Sequence, residues 1–95
     1  MRIAPGGLKL IAAWSAVRDL DGALGGVLLA HVRGEDVRRL FPGTYLVYTA
    51  ATCAELRDMV AGVLWNGESV FAVEFERWSS GGPTADRAWL LFRGH

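Results

Sequence analysis

The sequence predicts an α+β fold: one two-layer domain over 1–95, with a mixed sheet of about five strands packed on one main helix, 52–65. Three observations predict it. Thr52 and Glu55 stand three apart ahead of a helical apolar stripe, the signature of a capping box. Several short runs rich in β-branched and aromatic residues are separated by Gly, Pro, Asn and Asp. No repeat and no linker-like stretch divides the chain.

Residues 1–7 lead into an apolar run at 8–17 that fits two periodicities. As a strand it puts Leu8, Leu10, Ala12 and Trp14 on one face; as a helix it aligns Leu10, Trp14, Val17 and Leu20. The sequence Asp19-Leu20-Asp21-Gly22 precedes a second apolar run at 24–32, and an Asp-Gly pair between two such runs signals a hairpin. The reading therefore opens the sheet with an N-terminal hairpin. Residues 35–41 are expected to form a short helix or helical turn, stopped by Pro42-Gly43. The run 44–49 (Thr-Tyr-Leu-Val-Tyr-Thr) is apolar on both faces and is expected to be a central strand.

The main helix follows, with Leu56, Met59, Val60, Val63 and Leu64 on its stripe and Asn66-Gly67 as its stop. Next, 69–78 reads as a strand with Phe71, Val73 and Phe75 on one face and Glu74 and Glu76 on the other. The helix is expected to pack on the Phe/Val face. A strand, a helix and a strand make a crossover with the two strands parallel. The loop 79–85 and a last strand, 86–93, complete a C-terminal hairpin.

Composition narrows the function. Ten basic and ten acidic residues cancel, without a block of either sign, which makes nucleic acid an unlikely partner. One cysteine excludes an intrachain disulfide framework and a Cys-based zinc cluster. No run reaches the roughly 20 apolar residues of a membrane span, and no leader pattern stands at the N-terminus. The expected location is cytoplasmic, or a virion if the source is a phage; nine arginines to one lysine point to a bacterial or phage origin. With 52% hydrophobic residues and four Trp in so short a chain, part of the apolar surface is expected to meet another chain.

Side chains with catalytic potential are few. Cys53 would sit at the first position of the main helix, where the helix dipole favours a thiolate; it also lies on the apolar stripe, where a lone cysteine is usually a small buried hydrophobe. His31 lies in an apolar run, with Glu35 and Asp36 close behind it. Asp19 and Asp21 lack the further ligands and the later Glu of a calcium loop, and read as turn residues. Glu74 and Glu76 would lie about 7 Å apart on a strand face, and read as partners for Arg87 or Arg93. Gly22-Ala-Leu-Gly-Gly26 is not a dinucleotide fingerprint, and Lys9, the one lysine, is far from any glycine loop. No cofactor and no metal site is expected. Phe71-Ala-Val-Glu-Phe75 echoes the aromatic strand motif of RNA-recognition-motif domains only in its rings. Glu68 and Ser69 stand where that motif wants a basic residue and glycine, so no resemblance is drawn.

Trp14, Trp65, Trp78 and Trp89 remain, and Trp78, Trp89 and Trp65 are the candidate interface anchors, Trp78 foremost. The function expected from all this is a non-catalytic protein-interaction or assembly module. It would self-associate through a strand edge or a Trp-bearing face, as a phage or bacterial structural component would, or act as a small inhibitor-type protein. The alternative is a small enzyme or ligand-binding domain with a pocket near Cys53 and His31.

Overall fold

In a computed structural model, which describes residues 7–77, 79 and 89, the chain runs β1 (Gly7–Trp14), α1 (Asp21–His31), β2 (Val37–Phe41), β3 (Thr44–Thr49), α2 (Cys53–Ala61) and β4 (Ser69–Glu74). The four strands form one sheet in the order β2-β3-β1-β4, and every neighbouring pair is antiparallel. Strands β3 and β4 run the same way, as the crossover through α2 requires, but β1 lies between them. The same holds for β1 and β2, with β3 between. This β-α-β-β-α-β order is the split β-α-β (ferredoxin-like) arrangement.

The α+β class therefore holds, with helices α1 and α2 and four strands among the described elements. The mixed sheet does not, because no parallel pair is hydrogen-bonded among the described strands. The N-terminal hairpin is also corrected. Its first arm is β1, with Leu8, Leu10, Ala12 and Trp14 on one face as expected, but its second arm is helix α1. Leu24, Gly25 and Leu28 are the buried residues of α1, at helical spacing. The Asp-Gly pair is the first turn of that helix. Asp19 Oδ1 accepts from the Asp21 N–H at 2.9 Å there. Residues 34–36 form a single 3₁₀ turn, and 37–41 is a strand in place of the expected helical turn. Pro42-Gly43 then closes the β2–β3 hairpin, with Gly43 at φ +81°.

Helix α2 begins where the capping box placed it. Thr52 Oγ1 accepts from the Glu55 N–H at 3.0 Å, and Glu55 Oε1 accepts from the Thr52 N–H at 2.8 Å. It ends at Ala61 and not at residue 65, because Gly62 at the C-cap leads into turns over 62–68. The expected strand 86–93 lies outside the described residues, apart from Trp89, whose backbone is helical and not extended.

Both helices cover the same face of the sheet. Ile11, Tyr45 and Val47 meet Leu24, Leu28, Leu56 and Val60 in one buried cluster, with Val70 and Ala72 of β4 packed against it. The face of β4 turned to the helices is thus Val70 and Ala72, and not Phe71, Val73 and Phe75. Small side chains there let α2 lie close to the sheet. The opposite face carries a second cluster, Leu8 and Leu46, against which Leu10, Leu40, Phe75 and Trp89 pack.

Candidate functional site

The sheet has two edges, and they differ. Edge strand β2 carries Arg38 and Arg39, an irregular register between Arg39 and Phe41, and Pro42 straight after it. Charge, a bulge and proline are the usual means of blunting an edge. Edge strand β4 has none of them over Ser69-Val-Phe-Ala-Val73, and only Glu74 closes it. No described strand pairs with its outer side.

The orientation of the β4 backbone follows from its bonds. The Phe75 N–H donates to the Leu8 carbonyl at 3.3 Å, so the odd-numbered residues of β4 face β1. The N–H and C=O of Val70, Ala72 and Glu74 point away from β1, to the side where no described strand pairs. On the other side of β1 the alternation agrees: the Ala13 N–H donates to the Gly43 carbonyl at 2.9 Å.

Side chains around this edge are apolar. Phe71 is 64% exposed and Val73 36%, both on the sheet face away from the helices, with Trp14 (64%) at the end of neighbouring β1. On the helix side, a cleft of about 240 Å³ runs between α2 and β4, lined by Cys53, Ala54, Arg57, Val70, Phe71 and Ala72. Arg57 is exposed there and pairs with its neighbour Asp58, at 2.9 Å.

Next to the upper end of β4 the chain is tied down. Arg18 grips Glu68 with two nitrogens at 2.6 Å each, donates to the Val63 carbonyl at 2.9 Å, and stacks 3.7 Å above the Trp65 ring. The Arg18 hydrogen bond, with the Trp65 N–H and Ser15, holds the Glu68 carboxyl well below its usual range, at about 2. The same bond pushes the Arg18 guanidinium up. A second tie joins α1 to the β2–β3 turn. Asp21 accepts from the Gly43 N–H at 2.7 Å and meets Arg39 at 3.1 Å; the Gly43 bond is the main reason its carboxyl is lowered. Burial, and then Asp21, push the Tyr45 hydroxyl up.

The residues expected to carry function are dispersed over this scaffold. Cys53 is the first residue of α2, half-buried in the cleft beside β4. His31 ends α1, exposed, with Nδ1 3.0 Å from the Val27 carbonyl. The lining of the Cys53 cleft does not include His31. Trp65 lies exposed under the Arg18 guanidinium, while the Trp89 indole N–H donates to the Glu35 carbonyl at 3.0 Å over the Leu8–Leu46 cluster. Trp78, Arg87 and Arg93 lie outside the described residues. Lys9 is buried, donating to the Thr49 carbonyl at 2.8 Å, with Glu74 opposite it on β4. Among the described residues no group of three or more His, Cys, Asp or Glu could hold a metal ion, and no helix is long and apolar enough to cross a membrane.

Comparison of the chain with family models, curated proteins and solved structures gives no match.

The geometry of this chain is thus the whole basis for a functional reading. It draws attention to residues the sequence reading passed over as contacts: Arg57, Phe71, Ala72 and Val73. For Phe71, Ala72 and Val73 the signal was present as a stretch of five residues, 69–73, without charge, proline or glycine; for Arg57 there was none.

Proposed function

We propose that this protein is an assembly module that associates with copies of itself through the free edge of β4. The observation that carries the reading is the contrast between the two sheet edges. β2 is guarded by Arg38, Arg39 and an irregular register, while β4 turns N–H and C=O groups that no described strand pairs outward beside exposed Phe71 and Val73. An unguarded apolar edge strand is a template for strand addition, in which main-chain bonds give affinity and alternate side chains give specificity.

Charge supports a protein partner over nucleic acid. Phe71, Val73, Trp14 and Phe41 share the sheet face opposite the helices. Arg38 is the only basic residue on that face among the described strands. Rings with a single cation among them suit apolar burial better than a phosphate backbone.

Absolute mass by light scattering, across a dilution series of the full chain, tests the reading. A mass above 10.3 kDa that falls on dilution supports it, as does a Phe71→Lys variant that stays folded and loses mass. A wild-type chain that is monomeric at every concentration overturns it.

A further inference from the structure

Resting on the assembly reading above, we propose that two copies join by antiparallel pairing of β4 with β4 about a two-fold axis at Ala72. The pairing continues the sheet from four strands to eight, with α1 and α2 of both copies on one side.

The backbone allows this register. Ala72 points its N–H and C=O outward, so Ala72 opposite Ala72 is a hydrogen-bonded pair that exchanges both bonds. Keeping the helices of both copies on one side requires residues of the same parity to face each other. Val70 then lies opposite the second copy's Glu74, and Phe71 opposite its Val73.

Side chains choose this register over its neighbour. On the helix side, Arg57 lines the cleft next to Val70, and the incoming Glu74 lies across from Val70. Symmetry makes this pairing of opposite charges twice. On the other face, Phe71 and Val73 form two cross-strand pairs of an aromatic with a β-branched residue, a combination that favours pairing. Both are exposed in the single chain. An axis at Phe71 would instead set Glu74 against Glu68 and leave Arg57 opposite no acid. Small Ala72 at the centre leaves room for two helices to flank the junction.

The test uses the full chain and four substitutions, two of them in a background that lacks Cys53. Ala72→Pro removes an N–H that points outward and none that bonds β1, so it should yield a folded monomer by light scattering and circular dichroism. Arg57→Glu, on an exposed helix position where unfolding is not at issue, should weaken dimerisation about tenfold or more, the effect of losing one charge pair per half-interface and gaining repulsion. In a Cys53→Ser background, Ala72→Cys should cross-link into a covalent dimer on mild oxidation. Val70→Cys should not, because its two copies lie four residues out of step. A dimer that keeps its mass with Arg57→Glu, or cross-links through Val70→Cys and not Ala72→Cys, overturns this pairing while leaving self-association standing. A monomeric wild type overturns both.

Discussion

Arg18 holds Glu68 in a two-pronged ion pair, with Nε and Nη2 each 2.6 Å from a carboxylate oxygen, while its guanidinium lies flat on Trp65. This joins the β1–α1 connection to the α2–β4 connection. The Glu68 side chain is only 2% exposed, so it has few other partners in reach. The two loops flank the start of β4, and the pair fixes where that strand enters the sheet.

The pair makes stability depend on acidity. Glu68 titrates near 2 in the folded chain and near 4.5 when unfolded, a depressed value. Its contribution is therefore complete above pH 4.5 and fades as the pH falls from there towards 2. Asp21, also lowered, acts in the same direction. Thermal melts from pH 7 to 2 should show the midpoint falling below pH 5. Glu68→Gln should lower the midpoint at pH 7 and flatten part of the acid decline. A wild-type curve no steeper than that of Glu68→Gln would show that the pair is not stabilising.

Two adjacent glycines of α1 should respond to alanine with opposite signs. A Cβ on Gly25 would lie 2.7 Å from the Tyr45 hydroxyl, whose ring is buried and whose oxygen bonds Asp21. The ring cannot swing aside, so Gly25→Ala should cost about 1–3 kcal/mol of stability, the usual cost of overpacking. Tyr45→Phe added to it should cost less than the sum of the two changes. A Cβ on Gly26 meets nothing within 4 Å. Gly26→Ala should then raise stability by about 0.5–1 kcal/mol through helix propensity alone. Denaturant titration of the three variants checks both signs.

The same residues explain what the sequence could and could not show. β3 and the start of α2 were legible because each has a local cause, a doubly apolar run and a capping box; β1 fitted strand and helix alike, and the Asp-Gly pair that decided for a strand belongs to helix α1. Helix α1 was not legible, because its outward face is also apolar. Leu29 is 58% exposed, so no polar stripe set the period apart from that of a buried strand. Gly25 has no visible cause in the sequence around it, because its reason lies 20 residues away in Tyr45. For β4, Glu74 and Glu76 on the alternate face pointed to Phe71, Val73 and Phe75 as the buried side. Packing against α2 instead selected the smaller Val70 and Ala72. The proposed docking edge was invisible for a related reason: whether a strand lies at an edge is a property of topology, and four runs of residues do not state their order.

Removal of the α2 cap should have a defined cost. Thr52→Ala loses the acceptor for the Glu55 N–H, at 3.0 Å. The expected loss is about 1 kcal/mol. The N-terminus of α2 also carries Cys53 into the cleft beside β4. Fraying should therefore appear as faster labelling of that thiol, and an unchanged labelling rate with unchanged stability would show that packing alone holds the turn.

A last set of substitutions tests the helical nature of α1 directly. Leu28 is fully buried between the sheet and α2, and Leu29, the next residue, is 58% exposed. Helical geometry buries Leu24 and Leu28, four residues apart, while turning Gly26 between them to solvent. Leu28→Ala leaves a cavity against Ile11 and Val47, and should cost about 2–5 kcal/mol. Leu29→Ala should stay within about 0.5 kcal/mol of the wild type, as surface changes do. In a strand, positions 24, 26 and 28 would share one face, so a side chain placed at 26 would enter the core. A Gly26→Lys variant separates the two geometries: it is tolerated on the exposed helix face, and it unfolds a chain in which residue 26 points inward.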